Sequence, residues 1–426
     1  MLSTAPPTIG ARGGALNRTL CRVPSPRVSR PQVPAGAADT VLARRLRPFT
    51  TTIFATMSEL ATATGSVNLG QGFPDTDGPD ELKEVAAEAI RRGNNQYPPS
   101  AGIPEMRRAV AAHQGAWYGI ELNPDTEVLV TVGATEAIAA TLLALCVPGD
   151  EVVMFEPSYD SYAACASLAG AVPRLVRLHP PDWHFDPDEL AAACASPGAR
   201  VLLLNTPHNP TGKVFSADEL GQAAELCRAH DLLAVTDEVY EHLVFEGAHL
   251  PLATLPGMRE RTVTISSGGK TFSFTGWKVG WVSGPEPYVA AVRAAKQFLT
   301  YTSPAPLQLA VAHGLGFAPA TLGAYAGELA TKRDLLCDGL AGLGYEVYRP
   351  AATYFATTEI SAVAPSLSAQ EFCLALPGRC AVVAIPSSAF YDPADTEAGR
   401  TLVRWAFCKR DDVLRDALGR LASWGQ

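Results

Sequence analysis

The sequence lacks any run of apolar residues long enough to cross a membrane, which takes roughly 20 of them. No short apolar block follows a basic start, so a secretory signal peptide is not indicated. Basic residues are the minority, with 34 Lys and Arg against 43 Asp and Glu and a net charge of −9. Neither nucleic acid nor anionic lipid is attracted to a surface of that sign. We therefore expect a cytoplasmic protein with no nucleic-acid partner and no membrane contact.

Paired cysteine motifs are also missing. The nine cysteines are scattered and none are spaced as CxxC, which argues against a disulfide framework and a structural zinc, and no metal site is predicted. No GxGxxG follows the first predicted strand, which argues against a nicotinamide dehydrogenase. What the chain does have is length, because 426 residues at 47% hydrophobic content suffice for two domains with large buried cores.

Residues 1–47 differ in composition from the rest. Arginine accumulates there with Pro and Ser, and Asp39 is the only acidic residue. This composition predicts disorder. It is also typical of organelle transit peptides, and an extension without function or a start codon placed too early would look the same. We favour an extension without function or a misplaced start codon over a transit peptide.

From Glu127 onward short apolar strands alternate with amphipathic helices. EVLVTV, EVVMFE, RVLLLN, LLAVTDE and TVTISS are β-branched runs joined by helical patterns, which predicts a mostly parallel sheet with helices on both faces. Beyond about Tyr325 the pattern changes to a helix, short strands and a closing helix, typical of a smaller α+β domain. We expect an N-terminal segment at 48–75, a large domain at 76–325 and a small domain at 326–426.

Unusual residues follow the carboxyl ends of these strands. They are Gly133 to Thr135, Tyr159, Asn209, Asp237 and Lys270, each after a different predicted strand. Open parallel sheets bind ligands along that edge. The sequence therefore predicts one binding site that all five strands share.

The stretch SSGGKTFSFTGWKVGW, residues 266–281, sets Lys270 among small residues. A lysine becomes a nucleophile only where burial or a nearby cation lowers its pKa, and Lys278 is such a cation. The two glycines before Lys270 let backbone approach a bulky group, and the two serines offer hydroxyls suited to a phosphate. For GGK alone, a lysine in a glycine turn would be the plainer interpretation.

Three further segments carry polar residues that need partners. In LLLNTPHNPTGKVF, a proline-rich turn fixes the direction of the Asn209 amide. In LLAVTDEVYEHLVF, a predicted buried strand ends at Asp237, a carboxylate that requires a cation. TLVRWAFC places Arg404 among apolar residues, where its rigid fork suits a carboxylate. Taken singly, these could be an ordinary turn, a helix cap and a structural salt bridge.

Together these segments resemble the class I pyridoxal phosphate aminotransferases of fold type I. The resemblance runs from about Phe49 to the end, with the motifs in family order. It is closest to the kynurenine and glutamine transaminases, the cysteine-conjugate β-lyases, and the bacterial methionine and N-succinyldiaminopimelate aminotransferases. It implies a pyridoxal 5'-phosphate cofactor, amino acid and 2-oxo acid substrates, a ping-pong mechanism and a homodimer with shared active sites.

The resemblance also implies roles for individual residues. Lys270 would hold the cofactor as a Schiff base and move the substrate's α-proton. Asp237 would pair with the pyridine nitrogen, Tyr159 would stack on the ring, and Asn209 would share the 3-oxygen with Tyr240. The cofactor phosphate would be held by Ala134, Thr135, Ser267, Lys278 and the partner's Tyr97. The substrate would be bound by Gly70, Asn209, Arg404, Tyr301 and Thr302.

The sequence does not identify the side chain of the substrate. Aromatic, sulfur-containing, glutamine-like and N-succinyldiaminopimelate amino donors are all compatible with the resemblance. His208, His242 and Lys213 could meet a distal acid, but packing or surface roles are favoured for each. A cysteine-conjugate β-lyase would use the same residues and release pyruvate and ammonia without a second oxo acid. A non-catalytic cofactor-binding regulator would require a DNA-binding domain, and the leader is too short and proline-rich for one.

Overall fold

The computed structural model describes residues 41–49 and 53–424, and residues 45–426 form one compact unit. Nearly all of the leader predicted at 1–47 lies outside the described residues, so its interpretations stay predictions. None of the described helices combines the length and apolar composition needed to span a membrane.

The structure contains fourteen strands within the described residues. In chain order β1 to β14, they are Val67–Asn68, Val128–Thr131, Glu151–Glu156, Val172–His179, His184–Phe185, Ala199–Asn205, Leu233–Asp237, Thr262–Ser267, Gly280–Ser283, Glu346–Tyr348, Phe355–Glu359, Val382–Val383, Ile385–Pro386 and Leu402–Ala406.

Thirteen α-helices lie within the same described residues. In chain order α1 to α13, they are Ile53–Thr64, Asp80–Arg91, Pro104–Tyr118, Gly133–Leu145, Ser161–Ala169, Pro187–Cys194, Ala217–Ala229, Gly268–Thr271, Glu286–Lys296, Ala305–Gly314, Pro319–Gly342, Ala369–Cys380 and Asp411–Leu421. Four short 3-10 helices cover Arg44–Leu46, Leu252–Thr254, Thr275–Trp277 and Ser387–Phe390.

The central sheet has eight strands in the order β2-β9-β8-β7-β6-β3-β4-β5. Strands β8, β7, β6, β3 and β4 pair in parallel. β9 lies antiparallel between β8 and β2, so β2 points the same way as the parallel strands. This confirms the predicted α/β fold with a mostly parallel sheet, and it brings the carboxyl ends of β2, β3, β6, β7 and β8 to one edge.

Both faces of this sheet are buried, as its continuous apolar strands predict. In β3, Val152 and Met154 pack into one apolar cluster with α4 and α5, while Val153 and Phe155 pack into another with α6 and α7. Successive side chains of a strand point to opposite faces, so the consecutive apolar residues of β3 are buried on both sides of the sheet.

Two smaller sheets are built from the ends of the chain. One has the order β10-β11-β14-β13, and in the other β1 pairs in parallel with β12. The run AVVAIP, residues 381–386, is one of the short strands that the sequence predicts beyond Tyr325, but it divides between these sheets. Val382 pairs with Val67, while Ile385 pairs with Arg404. The segment at 67–68 is thereby hydrogen-bonded to a strand more than 300 residues away. The boundaries at 48–75, 76–325 and 326–426 stay predictions.

Candidate active site

The five predicted segments converge at the carboxyl edge of the central sheet. They line a cavity of about 120 Å³. Its walls include Gly133, Ala134, Thr135, Tyr159, Tyr162, Asn209, Asp237, Tyr240, Ser267, Lys270 and Lys278. Every residue assigned by resemblance to the cofactor therefore lines this cavity, except Tyr97.

Lys270 lies in the one-turn helix α8, directly after β8. Several influences act on the pKa of its amine, and the largest of them, burial, lowers that pKa to about 8. The amine donates a hydrogen bond to the hydroxyl of Tyr354 at 3.0 Å. A lysine with a lowered pKa keeps part of its amine neutral near pH 7, as nucleophilic and base chemistry require.

Asp237 ends β7 and is 5% exposed. Burial raises the pKa of its carboxyl to about 6. The carboxylate accepts hydrogen bonds from the Tyr162 hydroxyl at 2.7 Å and from the Val239 backbone N–H at 3.3 Å. No Lys, Arg or His within the described part of the chain lies at ion-pair distance from it. Such a carboxylate can therefore stabilise a protonated ring nitrogen placed in the cavity.

The opposite end of the cavity is shaped for a phosphate. Gly133 begins α4 with a φ of +74°, which exposes the first backbone N–H groups of that helix. A Cβ built on Gly133 would lie 3.2 Å from the Lys278 amine, so glycine leaves room for the cation beside the helix. The Ser267 hydroxyl lines the same cavity. Helix amides, a hydroxyl and an ammonium group together suit a phosphate, and the whole cavity therefore fits pyridoxal phosphate.

Arg404 lies on β14 and is 2% exposed. Its guanidinium donates to Asn209 Oδ1 at 3.0 Å and to the Gly70 carbonyl at 2.9 Å, and it stacks 3.9 Å from the Phe355 ring centroid. Burial lowers its pKa to about 10. Within the described residues no carboxylate lies within 4.0 Å of it, and its buried Nε has no hydrogen-bond partner. This argues against the structural salt bridge and leaves the guanidinium available to an anionic ligand.

Gly70 contacts the site through its backbone. Its carbonyl accepts from Arg404, while its N–H donates to Asn68 Oδ1 at 2.9 Å. The N–H is thus already engaged by the chain itself, and the direct contact predicted between Gly70 and substrate stays a prediction.

Tyr97, Tyr301 and Thr302 lie outside the cavity. Tyr97 is 85% exposed, and its ring contacts that of Tyr301 edge-on at 5.8 Å. The Thr302 hydroxyl donates to the Pro99 carbonyl at 3.3 Å. The two tyrosines form an exposed aromatic patch, and the predicted reach of all three residues into a partner's site stays a prediction.

Tyr162 and Tyr354 contact the site but were missed by sequence reasoning. Tyr162 follows Tyr159 by three residues at the start of α5, where its N–H donates to the Tyr159 carbonyl at 3.0 Å, so this spacing could have placed it beside Tyr159. No local pattern in the sequence indicates Tyr354. It directly precedes β11 of a smaller sheet, whereas Lys270 follows β8 of the central sheet.

The two histidines and the lysine that were considered as partners for a distal acid of the substrate all contact other residues of the chain. His208 is buried against the Thr211 hydroxyl at 2.8 Å, and Lys213 pairs with Glu219 at 2.7 Å. His242 is buried with its Nε2 2.7 Å from that of His113, and Glu241 lies close enough for the three to hold a metal ion. The Glu241 oxygens accept from the Tyr118 and Ser266 hydroxyls, so the group is hydrogen-bonded as it stands.

Comparison with known proteins places the chain in a family. Residues 64–418 match the family model for aminotransferase class I and II. A probable N-succinyldiaminopimelate aminotransferase of Mycobacterium tuberculosis is 50% identical over 387 residues, covering 89% of this chain and 97% of that protein. The methionine aminotransferase of Escherichia coli is 39% identical over 373 residues, covering 87% and 95%.

The fold is likewise shared. The solved structure of N-succinyldiaminopimelate aminotransferase from Mycobacterium tuberculosis superimposes with a TM-score of 0.87 at 50% identity, covering 90% of this chain and all of that one. The matched span includes the cavity and the residues that line it. The chain therefore belongs to the class I and II aminotransferases, and it is a pyridoxal phosphate-dependent enzyme of fold type I.

Proposed function

We propose that this enzyme binds the α-carboxylate of an amino acid at Arg404 and transfers the α-amino group to a 2-oxo acid in two half-reactions. The observation that carries the proposal is a buried guanidinium without an acidic partner, held beside Asn209 at the edge of a cofactor-shaped cavity. A guanidinium fork binds a carboxylate through two parallel hydrogen bonds, which fixes the substrate's orientation.

Each residue of the cavity has a proposed task. Ala134, Thr135, Ser267 and Lys278 hold the cofactor phosphate; Asp237 faces the ring nitrogen; Tyr159 covers the ring; Asn209 and Tyr240 contact the 3-oxygen. When bound, pyridoxal phosphate accepts the amino group and delocalises the electron pair left on the substrate's α-carbon. The burial that lowers the Lys270 pKa keeps this amine ready to take the α-proton and return it.

Among donors, we propose N-succinyldiaminopimelate. The support is the 50% identity to a protein named for that activity, over 97% of its length.

The enzyme is further proposed to be a cytoplasmic homodimer. The exposed aromatic patch of Tyr97 and Tyr301 supports a contact between subunits, because large exposed aromatic rings are enriched at interfaces. We also retain the proposed division into a large cofactor-binding domain and a small domain at 326–426, which the separate sheets support.

The first experiment is an absorbance spectrum of the purified protein loaded with pyridoxal phosphate, alongside Lys270→Ala. The wild type should show a visible band that bleaches when a donor is added, and the variant should lack the lysine-linked band. A panel of N-succinyldiaminopimelate, methionine, phenylalanine, kynurenine and glutamine then identifies the donor. Bleaching by the other donors but not by N-succinyldiaminopimelate would refute the substrate proposal and leave the lysine assignment standing.

A further inference from the structure

The hydroxyl of Tyr354 connects Lys270 to the segment at residues 70–72. Lys270 Nζ donates to Tyr354 Oη at 3.0 Å, and Tyr354 Oη donates in turn to the Gly72 carbonyl at 2.7 Å. Tyr354 itself is 1% exposed. Gly70, two residues before Gly72, accepts from Arg404. A single chain of contacts thus links Lys270, the segment at residues 70–72 and Arg404.

The directions of these hydrogen bonds decide how the amine is oriented. A phenol has one hydrogen, and Tyr354 commits it to the Gly72 carbonyl, so its oxygen can only accept from Lys270. A neutral amine has two hydrogens and one lone pair. Donating one hydrogen to Tyr354 turns the lone pair away from the phenol and leaves it free. Burial raises the pKa of Tyr354 well above its usual value, so the phenol stays protonated while Lys270 titrates.

We propose that Tyr354 is a positioning residue that orients the free amine of Lys270 for transfer of the substrate's α-proton. In that step the Cα–H bond breaks, the proton joins Nζ to give an ammonium group, and the electron pair stays with the substrate. Tyr354 accepts a hydrogen bond from Nζ both before and after the proton transfer. It therefore restrains the neutral amine and the ammonium group alike. This inference rests on the proposed role of Lys270.

The test is Tyr354→Phe, which removes the hydroxyl and keeps the ring that packs edge-on against Tyr240 at 5.3 Å. A misoriented base slows proton transfer without weakening substrate binding. We expect kcat to fall by about 10- to 100-fold while KM for the donor changes less than about threefold. The primary isotope effect with an α-deuterated donor should rise, because proton transfer becomes more rate-limiting.

Tyr345→Phe is the matched control. Tyr345 packs in the same apolar cluster as Tyr354, but its buried hydroxyl has no hydrogen-bond partner among the residues that the structure describes. Its removal should leave kcat, KM and the isotope effect as in the wild type.

Three outcomes would overturn the proposal. The first is a kcat for Tyr354→Phe within about twofold of wild type with an unchanged isotope effect, and the second is a change in KM alone. The third is loss of the visible lysine-linked band in Tyr354→Phe, which would make Tyr354 a requirement for cofactor attachment instead. Failure of the Lys270 assignment would be seen separately, as a Lys270→Ala protein that keeps that band.

Discussion

Arg404 shows how much of the site depends on one side chain. Its fork reaches Asn209 and Gly70 while its plane stacks on Phe355. Lysine keeps the charge but has neither the fork nor the plane. We expect Arg404→Lys to reduce kcat/KM for every donor by about 100-fold, near 2.7 kcal/mol at the transition state, mainly by losing two-point carboxylate binding. Steady-state kinetics checks this against Arg410→Lys, which alters an exposed pair with Asp412. Equal effects in both variants would contradict it.

The reactivity of the Lys270 amine should depend on pH in a way that reflects its burial. Its pKa is lowered to about 8, so the neutral fraction rises as pH increases through 8. The half-buried Lys83 has a raised pKa because Asp80 and Asp77 accept its hydrogen bonds, so its amine becomes neutral only at higher pH than that of an ordinary lysine. Acetylation of the apoprotein across pH 6 to 10, read by mass spectrometry, should give a midpoint near 8 for Lys270. A Lys270 midpoint as high as that of Lys83 would refute the assignment.

At the scale of elements, the phosphate end of the cavity depends on the close approach of β9 to the start of α4. A Cβ on Gly280 would lie 2.7 Å from the Gly133 carbonyl carbon and 3.0 Å from the Ala134 nitrogen, closer than real Cβ contacts. Gly280→Ala must therefore displace the helix amides that are proposed to bind the phosphate.

We expect Gly280→Ala to weaken pyridoxal phosphate binding by at least about tenfold, measured by titrating the apoprotein. Gly221→Ala in α7 is the control, because a Cβ there meets nothing within 4 Å. Unchanged cofactor affinity in Gly280→Ala would show that the helix start does not hold the phosphate.

At the scale of the whole molecule, the proposed sharing of active sites can be tested by mixing inactive subunits. Lys270→Ala and Tyr97→Ala dimers should each have low activity, the second because the partner's phosphate contact is lost. In a hybrid dimer one of the two sites has an intact Lys270 and receives an intact Tyr97 from its neighbour. Unfolding and refolding the two together should restore about a quarter of wild-type activity. Recovery no greater than the sum of the separate variants would refute the shared site.

The sequence by itself determined the central sheet and the identity of the reacting groups. The consecutive apolar residues of β3, β6 and β7 required burial on both faces, and the parallel strands, β8 included, end at a shared edge. Lys270, Asp237 and Asn209 each follow such a strand, so local spacing was enough to place them together.

Only the tertiary structure decided the contacts that come from distant parts of the chain. Tyr354 meets Lys270 across 84 residues and Gly72 across 282, and Arg404 meets Gly70 across 334. The division of AVVAIP between two sheets also depends on its remote partners, Val67 and Arg404. Periodicity and capping report only on neighbours within a few residues. Pairings over such separations depend on how whole elements pack, and no local pattern records them.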